Sequence, residues 1–236
     1  MSVEVQSSTR RESGERLAAL NVLVSAPPAL SGKLETGLTQ LGCAVATIPA
    51  AAAPRDREAA AATVAVHAER LGGLDALVHA PHVADLAPRG LVEIDAEVWA
   101  RWAEAPIWEA LVLFQAAYAG FGPAGGSIVA ALPSLALTGA ADLVPLAAAA
   151  EGIRQLAKSA ARAWGCQGTR VNCLTLPIDE WGVQAARPVP NRYGASLPGV
   201  NAPGELAGAV AMLISPFARG VTGATVGLDR GTVLAP

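Results

Sequence analysis

Glu58-Ala59-Ala60-Ala61-Ala62-Thr63-Val64-Ala65-Val66-His67-Ala68-Glu69-Arg70-Leu71, then Gly72-Gly73-Leu74-Asp75, then Ala76-Leu77-Val78-His79, is the stretch that decides the architecture of this chain. Its first part is rich in alanine, the strongest helix former, and holds neither glycine nor proline. Gly72-Gly73 stops the helix, because glycine takes the left-handed backbone of a helix C-terminus without a steric penalty. Ala76-Leu77-Val78 then runs apolar without alternation, as a strand covered on both faces does. A helix that feeds through a short turn into a doubly covered strand is half of a parallel βαβ unit.

The same alternation extends outward in both directions. Asn21-Val22-Leu23-Val24-Ser25 reads as a strand stopped by Pro27-Pro28, Ser31 to Leu41 as a helix ended by Gly42, and Ala44-Val45-Ala46-Thr47-Ile48 as a second strand. Beyond His79, Glu97 to Ala119 reads as one long helix, Ser127 to Ala131 as a strand, Leu143 to Trp164 as a helix and Arg170 to Leu176 as a strand. An irregular Pro/Gly-rich stretch from Pro177 to Pro203 precedes a helix over Glu205 to Ile214 and a last strand, Thr225 to Leu228. The expected fold class is therefore α/β: one doubly wound parallel sheet with helices on both faces, over residues 20–236. Residues 1–19, polar and charged (Arg10, Arg11, Glu12, Glu15, Arg16), read as a flexible arm.

Composition bounds the function. The 236 residues are 52% apolar and 16% charged, and alanine fills 52 positions, so helices can approach one another closely. A formal net charge of -3 argues against nucleic-acid binding. Cys43, Cys166 and Cys173 are too few and too scattered for a disulfide framework or a zinc site, and the latter two read as buried apolar fillers. No charge falls between Glu109 and Asp142, yet Gly122-Pro123-Ala124-Gly125-Gly126, Pro133 and Gly139 break that stretch too often for a membrane span. The start, Met-Ser-Val-Glu-Val-Gln, lacks the basic and apolar regions of a signal peptide. The expected location is the cytoplasm.

Three segments in order resemble the short-chain dehydrogenase/reductase family. They are Gly72-Gly73-Leu74-Asp75-Ala76-Leu77-Val78; Trp164-Gly165 through Thr169-Arg170-Val171-Asn172 to Pro177; and Gly204-Glu205-Leu206-Ala207 with Gly220-Val221-Thr222-Gly223-Ala224 and Leu228-Asp229-Arg230-Gly231. The resemblance implies a single-domain Rossmann fold. It also implies a Tyr as proton donor or acceptor, a Lys one helical turn on that lowers the Tyr pKa, a Ser that orients the substrate oxygen, and an Asn in a proton relay. Here Leu146 stands at the Tyr position, Ala150 at the Lys position, Pro133 at the Ser position with Ser134 beside it, and Pro106 at the Asn position. The only tyrosines are Tyr118 and Tyr193, and neither has a Lys or Arg four residues on. No catalytic residue of the family is left.

Cofactor binding is expected to have gone as well. The family's glycine-rich loop becomes Ser25-Ala26-Pro27-Pro28-Ala29-Leu30-Ser31-Gly32, in which only Gly32 remains and two prolines remove N–H donors. After the second strand, Ile48-Pro49-Ala50-Ala51-Ala52-Ala53 offers no polar group to a ribose. From there to the Leu77-Val78 strand the chain is too short for the family's full complement, so the adenosine side of the sheet is shortened. No cofactor and no metal are expected.

Few other polar residues carry chemistry. His79 and His82 flank Ala80-Pro81 at a strand's C-terminal end, where an acid/base or metal role competes with that of plain loop histidines. Asp142 reads as a solvated loop residue that could serve as an acid, Glu151 and Arg154 as a structural ion pair, Asp179-Glu180-Trp181 as the start of the substrate-side loop, and Asn172 as a stabiliser of the fold. Two readings follow. One is a catalytically inactive subunit, a structural or regulatory partner of an intact paralogue in a hetero-oligomer (or a homo-oligomer), associating through its two long helices and last strand: Trp102, Leu146, Ala149, Ile153 and Leu228. The other is an enzyme or ligand-binding protein that works without nicotinamide through non-standard residues such as His79, His82 or Asp142.

Overall fold

A computed structural model describes residues 20–49, 52–54, 56–83, 85–182, 195–199 and 201–234. Residues 1–19, read as an arm, and Tyr193 lie outside the described residues. The element order is β1 (Asn21–Ser25), α1 (Pro28–Gln40), β2 (Ala44–Ile48), α2 (Arg57–Leu71), β3 (Ala76–His79), α3 (Ala96–Trp99), α4 (Ala105–Gly120), β4 (Ser127–Pro133), α5 (Leu135–Thr138), α6 (Val144–Trp164), β5 (Arg170–Leu176), α7 (Pro203–Ile214) and β6 (Thr225–Gly227). All strand pairs are parallel, in the order β2-β1-β3-β4-β5-β6. The order reverses between β1 and β3, which makes the sheet doubly wound. It holds one strand, β2, outside β1, so the adenosine side is short, as the spacing required.

Side-chain alternation along the strands builds two cores. Leu23, Leu77, Ile128, Val171 and Cys173 face α2, α4 and α6, whereas Val22, Val24, Val78, Val129 and Leu174 face α1 and α7. Small residues let the helices close in. A Cβ on Gly37 would stand 2.5 Å from Ala207 Cβ on α7, and one on Gly152 would stand 2.8 Å from Ile107 Cδ1 on α4. The expected continuous helix over Glu97–Ala119 differs in one place, a π-turn at Ala100–Glu104 between α3 and α4. Pro106 explains it: proline offers no N–H and its ring would collide with the carbonyl four residues back, so the ladder slips by one residue instead of breaking.

The C-terminal part is tied to β5 by polar side chains. Arg170 donates to the carbonyls of Leu213 (2.6 Å), Ile214 (3.0 Å) and Ser215 (3.2 Å), which caps the C-terminus of α7. Asn172 donates to Val221 O and accepts from Ala224 N, and so holds the approach to β6 as a structural residue. Cys173 is buried, which pushes its thiol up to about 12, but Cys166 is exposed in the turn after α6 rather than a filler. No helix among the described residues is long and apolar enough to cross a membrane.

The predicted oligomer contacts fall on the wrong side of their helices. Leu146, Ala149 and Ile153 have 0% exposure within their own chain, and Trp102 has 3% with the Arg89 guanidinium 5.7 Å from its ring centre. Ile153 packs in the core of the sheet and Leu146 in a cluster with Leu135 and Leu143, and none of the four side chains has surface left for a second chain. Leu228 is half-buried against the β1–α7 core. The apolar residues that remain outward are others: Trp99 and Trp108 are exposed, and Trp108, Ile107 and Leu111 with Leu156 line an open groove of about 570 Å3 between α4 and α6.

Candidate functional site

The reversal of strand order places the C-terminal ends of β1 and β3 side by side, with Ser25 opposite His79. In doubly wound sheets a ligand binds in the crevice at this point. Here α1 follows β1 almost at once, with Pro27 as its N-cap and Pro28 as its first residue. The Leu30 and Ser31 amides both bond to Pro27 O, at 3.0 and 2.8 Å. Gly32 lies a turn inside the helix, and Ala26 is buried. This helix start has few N–H groups left for a pyrophosphate.

The loop after β5 closes over the same place. Ile178–Trp181 forms a 3-10 turn, and Trp181, 8% exposed, packs in the cluster that holds Val24, Ala26 and Leu30. Its indole N–H donates to Pro81 O at 3.2 Å, joining the loop after β5 to the loop after β3. Glu180 is 5% exposed and receives Lys33 Nζ of α1 at 2.7 Å. Thus α1, the β3 loop and the β5 loop are bonded to one another across the crevice. A nicotinamide dinucleotide does not fit these residues: the phosphate cradle lacks its glycines and donors, and Trp181 and the Lys33–Glu180 pair bridge its walls.

Next to this crevice lies the ground where the family works. Leu146, on the first turns of α6, is fully buried with Leu135 and Leu143, against Val83, Leu86 and Ile178 from the loops after β3 and β5. The Tyr position therefore points into an apolar cluster. Ala150 joins the α4–α6 core, Pro106 is buried at the start of α4, and Pro133 ends β4, with the Ser134 amide bonded to Leu176 O at 2.7 Å. Tyr118 cannot substitute. It stacks on Trp164 with ring centres 4.5 Å apart, at the far end of α4 from the crevice. Asp142 presents its carbonyl to the Arg89 amide at 2.8 Å, and Glu151 is bonded to Arg154 at 2.6 and 2.7 Å, which lowers the Glu151 pKa.

The histidines are not loose loop residues. His79 is the last residue of β3, fully buried, with Nδ1 3.4 Å from Ser25 Oγ and its ring edge-on to Phe114. Burial without a charge partner lowers its pKa to about 4, despite Glu109, which acts the other way. His82 Nδ1 is 2.6 Å from Glu109 Oε1 on α4, and both side chains are nearly buried. Sequence reasoning missed Glu109 as a site residue. Its signal was available, since it is the last charge before a long uncharged stretch and lies one helical turn after Pro106. Lys33 was missed as well.

The strand order and the crevice at its reversal define a Rossmann-type domain. The family model described as Enoyl-(Acyl carrier protein) reductase matches residues 21–233. Cis-4-hydroxycyclohexanecarboxylate dehydrogenase from Sinomonas cyclohexanicum is 31% identical over 189 residues, 75% of this chain and 72% of the relative. Among solved structures, a dehydrogenase/reductase from Sinorhizobium meliloti 1021 superposes with a TM-score of 0.75 at 22% identity, over 94% of this chain and 99% of that one. A short-chain dehydrogenase/reductase (glucose/ribitol dehydrogenase) from Brucella melitensis gives 0.74 at 22%, over 92% and 98%. The chain belongs to the short-chain dehydrogenase/reductase family of oxidoreductases.

Proposed function

We propose that this chain has lost hydride transfer and serves as a structural or regulatory partner of an intact, cytoplasmic short-chain dehydrogenase/reductase in a hetero-oligomer. The observation that carries the reading is Leu146: the place of the reacting hydroxyl holds a side chain that cannot ionise, sealed by Leu135, Leu143 and Ile178. Ala150 removes the cation that would have tuned it, and the bridged crevice removes the cofactor's place. The Sinomonas relative is named a dehydrogenase; on this reading the present chain keeps the fold without that activity.

The exposed apolar residues on the outer faces of the long helices support the partner role, as a surface through which chains could associate. Trp108, Ile107, Leu111 and Leu156 replace the predicted contacts Trp102, Leu146, Ala149 and Ile153, whose side chains are interior. Covering an interface of standard size removes enough apolar surface, at about 25 cal/mol per Å2, to hold two chains together after association costs. The test is co-expression with intact Tyr-x-x-x-Lys homologues from the same host, followed by pull-down and size exclusion with light scattering. A stable mixed oligomer supports the reading; a soluble monomer that ignores every intact homologue offered to it overturns it.

A further inference from the structure

The groups that would have moved a proton in the family are gone, yet two imidazoles and a carboxylate converge beside their place. His82 Nδ1 is bound to Glu109, and His79 Nδ1 faces Ser25 Oγ. The two rings stand 6.4 Å apart, centre to centre. Both Nε2 atoms are buried and have no hydrogen-bond partner among the described residues. Buried polar atoms are paired in folded proteins, and two unpaired nitrogens on neighbouring rings call for a functional explanation.

From this geometry we infer that His82 and His79 form an acid–base site for a small enolisable ketone, with His82 as the base and Glu109 as its positioning residue. The inference goes beyond the partner role and does not rest on it. The tautomers assign the parts. A carboxylate at Nδ1 holds the proton on that nitrogen and leaves the lone pair of His82 on Nε2. A Ser25 hydroxyl that donates to Nδ1 of His79 puts the His79 proton on its Nε2, as a hydrogen-bond donor to a carbonyl oxygen. Burial keeps His79 neutral, with its pKa at about 4, so that it donates without giving up a full charge.

The step balances within the site. His82 Nε2 takes the proton from the carbon next to the carbonyl. The C–H electron pair becomes the C=C bond of an enolate, and the carbonyl π pair moves to oxygen, where His79 Nε2–H holds it. Return of a proton from His82 to carbon restores the ketone; in D2O, once the imidazolium N–H has exchanged with solvent, the returning nucleus is deuterium. No oxidant, reductant or cofactor is needed. The Phe114 ring against His79 favours an uncharged ligand.

Acetone, small enough for a nearly buried site, is the probe. Deuterium entry into its methyl groups is followed by proton NMR in D2O with the isolated full chain, against free imidazole at the same concentration. The expected result is exchange at least tenfold above that control, reduced to the control by H82Q and lowered by H79Q. E109Q should slow exchange several-fold and E109D should restore part of it, because a carboxylate at Nδ1 fixes the tautomer that leaves the His82 lone pair on Nε2; a merely structural role would not distinguish the two variants in this way. Circular dichroism verifies that each variant is folded. Where H82Q does not fold, the comparison of E109Q with E109D decides. Exchange no faster than with imidazole, or unchanged by H82Q, or no faster in E109D than in E109Q, overturns the inference. None of these outcomes depends on whether a partner is found.

Discussion

Lys33 Nζ and Glu180 Oε2 lie 2.7 Å apart although 147 residues separate them in the chain. The pair pins the turn after β5 to the first helix, and only Glu180 is buried. Lys33→Met leaves a buried carboxylate without its cation. We expect a loss of about 1–3 kcal/mol, kept below the cost of a fully buried pair by the water that reaches Lys33. Urea unfolding measures it. The double variant with Glu180→Leu should recover most of the loss, since it no longer buries a lone charge.

Cofactor binding and redox activity should both be absent from the isolated chain. Calorimetric titration with NAD and NADP should show no heat of binding, and a panel of ketones and alcohols should show no nicotinamide-linked turnover. Leu146→Tyr with Ala150→Lys should not restore it, and here the structure sharpens the expectation. Both positions are fully buried, so the double change overfills one core and places an ammonium in another. It should cost more than about 3 kcal/mol, or the fold. Micromolar NAD binding by the wild-type chain would contradict the account of the crevice.

Stability should fall on mild acidification, because of His79. Its pKa drops from 6.5 in the unfolded chain to about 4 in the fold, so between these values the unfolded state binds more protons. The contribution is complete above pH 6.5, declines as the pH falls toward 4 and is absent below it. It amounts to about 3 kcal/mol over that window. Urea unfolding at pH 7 and pH 4.5, on the wild type and on His79→Phe, separates this from carboxylate titration. A histidine-free core should lose less stability than the wild type between the two values.

Charges on the two sides of the long helices should act differently. Trp108→Glu or Leu156→Glu should abolish the proposed association and leave a folded monomer, because both residues line the outer groove. Ala149→Glu or Ile153→Glu should unfold the chain instead, since both side chains are fully buried in its core. Light scattering after size exclusion, with circular dichroism on the same fractions, tells the two outcomes apart.

These positions also show what the sequence could and could not tell. The strands Asn21–Ser25, Ala44–Ile48, Ala76–His79 and Arg170–Leu176 carry the bounds that their apolar runs imply; three of them are buried on both faces, which needs apolar residues, whereas Ala44–Ile48 at the sheet edge is mostly half-buried. The short adenosine side followed from chain length alone. The helix stripes did not reveal their neighbours. Leu146, Ala149 and Ile153 make an apolar stripe whose period says that something covers it, and the period is the same whether that is the chain's own sheet or a second chain. The π-turn needed the position of Pro106 inside a helix that otherwise read as continuous. The His82–Glu109 and Lys33–Glu180 pairs join residues far apart in sequence, where no local pattern points from one to the other.

Arg170 gives the molecule a property that its strand order alone does not. One guanidinium at the start of β5 holds three carbonyls at the end of α7, and Asn172, two residues on, holds both sides of the approach to β6. The last helix and the last strand therefore cannot swing away while the centre of the sheet stays closed. The amide protons of α7 and β6 are therefore expected to exchange with solvent through the same opening as those of β4 and β5. These two elements are tied into the sheet rather than appended to it, and should melt with its middle as one cooperative unit.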